Sequence, residues 1–152
     1  MIQENLKLAG QLSIVVKDKD GNVKDTREVK NLVVNAGLAY ITSRMVGATK
    51  GVMSHMALGA GTAAAAAGDT DLGSLLGARE LLDSSTITGA NNQQIQYVCG
   101  FEAGDATGAV TEAGIFNASS GGDMLCRTVF AVVNKAADDT MTVTWTITLS
   151  AV

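Results

Sequence analysis

Met141-Thr142-Val143-Thr144-Trp145-Thr146-Ile147-Thr148-Leu149 decides the class of this chain. Five apolar side chains alternate with four threonines. A period of two puts the apolar set on one face of a strand and the threonines on the other. Threonine is β-branched, so it suits extended backbone while leaving its face polar. The run therefore predicts a long strand with one buried side.

Working outward, the same alternation opens the chain. Leu6, Leu8, Leu12, Ile14 and Val16 share a face, against Lys7, Gln11 and Ser13. Asp18-Lys19-Asp20-Gly21-Asn22 follows, and Asp-Gly marks a tight hairpin turn. The return strand runs from about Val23 to Val34, so residues 1–34 form an N-terminal hairpin. Leu38, Ile41, Met45 and Val46 then take helical spacing, predicting one short helix near residues 37–46 that Gly47 ends. Strands are expected at Met53–Leu58, Leu81–Ile87, Ile95–Phe101, Val110–Phe116 and Met124–Val133. Eight or nine short strands with Gly, Asn and Asp turns predict an all-β, antiparallel β-sandwich or jelly-roll-like fold, one domain over 1–152. Trp145, Phe101, Phe116 and Phe130 are expected in its core.

Residues 59–77 depart from this pattern. They are mostly Gly, Ala, Thr and Asp, and include the five alanines Ala63 to Ala67. Alanine favours helix, but Gly59, Gly61 and Gly68 bracket the run. A long surface loop is expected, with at most one helical turn, and it is a candidate arm toward a neighbouring subunit.

Composition excludes several classes. The chain has 152 residues, 47% hydrophobic and only 17% charged, with no proline and one histidine. No apolar run approaches the ~18 residues of a membrane span, and MIQENLKLAG does not read as a signal peptide. A net charge of −4 argues against binding nucleic acid through its phosphates. Cys99 and Cys126 lie in apolar runs and are expected as buried free thiols. A weakly charged, apolar surface is expected to be partly hidden against partner subunits.

Few residues of this chain stand in a pattern that carries chemistry. Asp18 and Asp20 before Gly21 suggest a calcium loop, but the register puts Val16 and Arg27 at ligand positions. Gly59-Ala60-Gly61-Thr62-Ala63-Ala64 fits a dinucleotide-binding string, yet no crossover helix or βαβ pattern follows; its glycines are read as turn residues. His55 has no orienting partner in sequence. Glu112 lies in an apolar strand and must pair, with Arg79 or Arg127 the candidates. No catalytic residue, cofactor or metal site is expected.

Asn31-Leu32-Val33-Val34-Asn35-Ala36-Gly37-Leu38 is followed by His55-Met56-Ala57-Leu58-Gly59-Ala60-Gly61-Thr62 and Leu76-Gly77-Ala78-Arg79-Glu80. Thr111-Glu112-Ala113-Gly114-Ile115-Phe116-Asn117 and Met124-Leu125-Cys126-Arg127-Thr128-Val129-Phe130 complete the series. This order, over roughly Asn31 to Leu149, resembles small virion structural proteins of tailed bacteriophages. It is similar also to the N-terminal module of phage tail-collar fibre proteins, although a fibre would continue into a shaft where this chain ends at Val152. The resemblance implies a capsid decoration (cement) protein in the virion, assembled in the host bacterial cytoplasm. It implies a homo-oligomer, dimer or trimer, touching the major capsid protein or other virion proteins, with no membrane or direct nucleic-acid contact. A tail, neck or baseplate module is the alternative. The contact residues expected are Met1 and Ile2 at the N-terminus and Gly59, Gly61, Ala64 and Ala66 in the loop.

Overall fold

The computed structural model describes residues 5–152. Nine strands and one helix follow in the order β1 (Leu6–Lys17), β2 (Val23–Val33), α1 (Asn35–Met45), β3 (His55–Gly59), β4 (Glu80–Leu81), β5 (Ser84–Thr88), β6 (Gln94–Phe101), β7 (Gly108–Phe116), β8 (Met124–Lys135) and β9 (Thr140–Ala151). All pairings are antiparallel. The order β4-β3-β7-β8-β2-β1-β9-β6-β5 is one continuous sheet, curled into a half-barrel. The antiparallel all-β class, the N-terminal hairpin and the single short helix are as expected. What differs from the expected sandwich or jelly roll is that the strands belong to one sheet.

The curl turns on β2. Its residues up to Asn31 pair with β1, whereas Leu32 and Val33 pair with Arg127 and Cys126 of β8. One strand thereby joins two wings. β9 lies between β1 and β6 and carries the central apolar row. Val16, Met141 and Phe101 sit abreast, as do Ile14, Val143 and Cys99, and Leu12, Trp145 and Tyr97. All nine are buried, in one cluster with Met56, Leu58, Ile115 and Phe130 from the other wing. Removing each large apolar side chain from water contributes about 1.5–3 kcal/mol. Trp145 also needs a partner for its indole N–H, and Asn31 Oδ1 accepts it at 3.0 Å. Gly10 leaves the space for that, since a Cβ there would overlap the Asn31 amide.

The hairpin turn is closed by Asp18, whose carboxylate accepts from the Asp20 and Asn22 amides, with Gly21 at φ +84°. Helix α1 starts two residues earlier than the spacing predicts, directly at Asn35, whose N–H donates to Ala67. It ends as expected at Gly47. That residue has φ +70°, its N–H donates to Arg44 and that of Ala48 donates to Ser43, the paired bonds of a Schellman stop.

The segment read as one strand, Leu81–Ile87, is two. β4 pairs with β3 at one edge of the sheet and β5 with β6 at the other. Between them the Leu82 N–H donates to Ser54 and that of Asp83 to Val98. Residues 80–88 are thus a strap that ties the two edges together.

Cys99 and Cys126 are buried and free. Burial pushes the Cys99 thiol up to about 12, with Asp83 and Glu80 adding to it, and pushes Cys126 well above its ordinary value. Thiolate is the reactive form. A chromogenic disulfide reagent is therefore expected to find no reactive thiol in the native protein and two after denaturation. Rapid native labelling of either cysteine would contradict this packing.

Candidate functional site

Of the residues singled out in sequence, Glu112, Arg127, Arg79, Gly59 and Gly61 converge on the outer face of β7 and β8. Alternation along β7 turns Ala113 and Ile115 into the main core and Glu112, Gly114 and Phe116 outward. The outward face is not open to water, because the segment 59–77 lies over it. Phe116 and Met124 form a second apolar cluster there with Val34 and Ala57, and Leu72 of the segment packs on it.

Glu112 anchors this cover. It is fully buried. Its carboxylate accepts from the backbone N–H groups of Gly61 (2.8 Å), Gly73 (2.9 Å) and Ser74 (2.7 Å), and from Arg127 Nε (3.0 Å) and Nη2 (2.8 Å). Burial alone would raise the carboxyl pKa. The bonds from Gly73, Ser74, Arg127 and Gly61 outweigh it and hold the group below the ordinary glutamate value. Arg127, 3% exposed, also reaches Asp69 at 2.8 Å and the carbonyls of Ala63 and Ala64. Of the two candidate partners, then, Arg127 pairs with Glu112. Arg79 instead stacks 3.5 Å over the Phe116 ring and donates to the carbonyls of Ala118 and Gly121. It thereby ties the loop 117–123 to the same face.

This geometry explains why the alanine run is not a helix. Arg127 takes the Ala63 and Ala64 carbonyls, and the Ala66 N–H donates to Asp69 Oδ2. The groups that would make helical bonds are bonded elsewhere. It also corrects the reading of Gly59 and Gly61 as turn glycines. Neither has positive φ. A Cβ on Gly59 would come within 2.5 Å of Glu112 Oε1, and one on Gly61 within 2.7 Å of the Glu112 carboxyl carbon. Both are glycine to make room for the buried carboxylate.

The contact residues expected from sequence are therefore separated. Gly59 is buried and Gly61 faces Glu112, whereas Ala64 and Ala66 are exposed on the outside of the cover. Met1 and Ile2 lie outside the described residues. The segment is no free arm; it is pinned at Gly61, Gly73, Ser74 and Asp69.

His55 starts β3, half-buried, with Nδ1 2.7 Å from Ser54 Oγ. No acid among the described residues bonds to the ring, so the orienting third group of a nucleophilic triad is missing from the pair. Among the described residues no group of three or more His, Cys, Asp or Glu is placed to hold a metal, and no helix is long and apolar enough to cross a membrane. Comparison with protein families, curated proteins and solved structures finds no match to this chain.

Between the last turn of α1 and strands β5, β6 and β9 lies an apolar cleft of 560 Å³, and both tyrosines of the chain line it. Tyr97 follows from strand alternation, but Tyr40 is outside the set Leu38, Ile41, Met45 and Val46 whose spacing marks the helix: α1 buries Gly37 and Tyr40, and leaves Leu38, Met45 and Val46 exposed. Only the curl of the sheet brings the two together.

Proposed function

We propose that this chain is a structural protein of a tailed-phage virion, a capsid decoration protein that stabilises the shell through contacts between subunits. In this reading the two wings act as a sandwich-like brick and the cover segment 59–77 meets the neighbour. The observation that supports it is the Glu112–Arg127 anchor. A buried ion pair with three backbone donors holds an otherwise irregular Gly/Ala segment in one shape, with Ala64 and Ala66 outward. A preorganised surface of small side chains loses little conformational freedom on contact and permits close backbone approach. The protein would act as a dimer or trimer against the major capsid protein, within virions assembled in the host cytoplasm, and it needs no cofactor. The phage-like strings quoted from the sequence support the choice of a virion as the assembly.

A second reading places the same surface at the tail, neck or baseplate. It is favoured by Arg79, which joins the loops 59–77 and 117–123 on one side of the molecule, as a loop-borne attachment site requires. Quantitative mass spectrometry of purified virions separates the two. Decoration predicts a copy number comparable with the major capsid protein. A dozen copies or fewer would assign the tail, and absence from the particle would refute both.

A further inference from the structure

The half-barrel leaves part of its own inner face uncovered. Ile87 of β5 stands opposite Ile95 of β6, which stands opposite Ile147 of β9. This row continues the core face, and Ile147 is 2% exposed, yet Ile87 is 66% exposed. Across the 560 Å³ cleft stands the last turn of α1, with Met45 80% exposed at the rim. The volume falls in the range of roughly 300–1,000 Å³ that small-molecule sites occupy.

Apolar surface alone does not say what fills it, but the polar groups do. Tyr40 and Tyr97 line the cleft and are 8% and 7% exposed. Neither phenol has a hydrogen-bond partner among the described residues. The only sealed side-chain polar atom without a partner there is Asn31 Nδ2. Both phenol oxygens therefore reach open volume, and the cleft is the open volume both residues line. Two hydroxyls that spend no bond on the protein and open on the same apolar cleft offer their O–H donors to an acceptor lodged there. Burial pushes the Tyr97 hydroxyl up to about 12, with Cys126 and Tyr40 adding to it, so it remains a donor at ordinary pH. Arg44 stands four residues after Tyr40, on the same helix face. It is exposed and is the one charged residue in the lining; its Nη1 donates to the Lys50 carbonyl at 2.9 Å, which leaves Nη2 and Nε, and among the described residues it makes no ion pair.

We infer that this cleft is a binding site for an anionic amphiphile, its carboxylate held by Tyr40, Tyr97 and Arg44 and its aliphatic chain laid along Ile87, Ile95, Ile147 and Leu149. The site stands apart from the virion role, since none of its residues belongs to the cover segment.

Calorimetric titration with dodecanoate, with dodecanol and with the dodecyltrimethylammonium cation, each below its micellar concentration, tests it. Dodecanoate is expected to bind once per chain, about tenfold or more tighter than the other two, the worth of a charge-assisted hydrogen bond. Tyr40→Phe and Tyr97→Phe are each expected to weaken dodecanoate about tenfold. Their melting temperatures should not fall, because no protein group loses a partner. Leu81→Ser, an exposed apolar position outside the cleft, should leave binding unchanged. No binding, or equal affinity for the three probes with no effect of either tyrosine change, would overturn the site. So would a sedimentation result showing a dimer that Ile87→Glu converts to monomer, which would assign the face to a second copy of the chain.

Discussion

Arg127→Ala is expected to destabilise the protein by about 3–5 kcal/mol, the cost of leaving a buried charge without its partner. Glu112 would keep its three backbone donors but lose both guanidinium bonds, while Asp69 and the Ala63 and Ala64 carbonyls lose theirs. Glu112→Ala is expected to cost about as much, because the Gly61, Gly73 and Ser74 amides are then left without an acceptor. The double variant should cost clearly less than the two single losses together, since both remove one shared interaction. Urea unfolding followed by the fluorescence of the single tryptophan, buried Trp145, measures all three. Additive losses would show that the two side chains do not act as one unit.

The same pair fixes the sign of a pH effect. The folded Glu112 carboxyl lies below its ordinary value, and the unfolded chain titrates near 4.3. Its contribution is therefore complete above about pH 4.3. It is lost as pH falls through the folded pKa, where the unfolded chain binds the extra proton. Glu112→Gln should be less stable than the parent at pH 7, and the gap should narrow with acidification. A gap that widens toward low pH would contradict the assignment.

The fold was legible in sequence wherever one face of a strand is buried and the other is wet. β1 and β9 alternate because their outer faces meet solvent, and the Asp18–Gly21 turn and Gly47 stop carry local chemistry that survives in any context. β7 and β8 were legible as strands but not as a two-sided layer. Their apolar runs, interrupted only at Thr111-Glu112 and Arg127-Thr128 up to Val133, reflect a second cover, the segment 59–77, whose own composition says only loop. Partner choice along β2 was not legible either. Changing neighbours from β1 to β8 at Leu32 leaves the side-chain period untouched, so one curled sheet and two stacked sheets read alike. At the site, the need of Glu112 for a partner followed from the cost of an isolated buried charge. The choice between Arg79 and Arg127 did not, because it depends on Arg127 sharing the outward face of β8 while Arg79 lies over Phe116. Gly59 and Gly61 were noticed for a motif they do not serve. Their reason is a carboxylate about fifty residues further along the chain.

Gly37→Ala sets local preference against packing, and packing is expected to win. Glycine inside a helix is about 1 kcal/mol worse than alanine, so propensity alone predicts stabilisation. Gly37, however, is where α1 lies against β8. A Cβ there would overlap the Leu125 carbonyl oxygen and stand 2.8 Å from its carbon and 3.0 Å from its Cα. These are backbone atoms of a central strand, so they cannot rotate away as a side chain would. The helix has to lift, and it carries Tyr40 out of the core as it does. A net loss of about 1–3 kcal/mol is expected, the usual cost of overpacking. Ala39→Gly, on the exposed face of the same helix, provides the comparison. It touches only propensity and should cost about 1 kcal/mol. Two opposite substitutions two residues apart would then both destabilise, which no helix-propensity account allows. If Gly37→Ala raised the urea midpoint instead, the close seat of α1 on β8 would be wrong, and with it the wall that Tyr40 provides to the cleft.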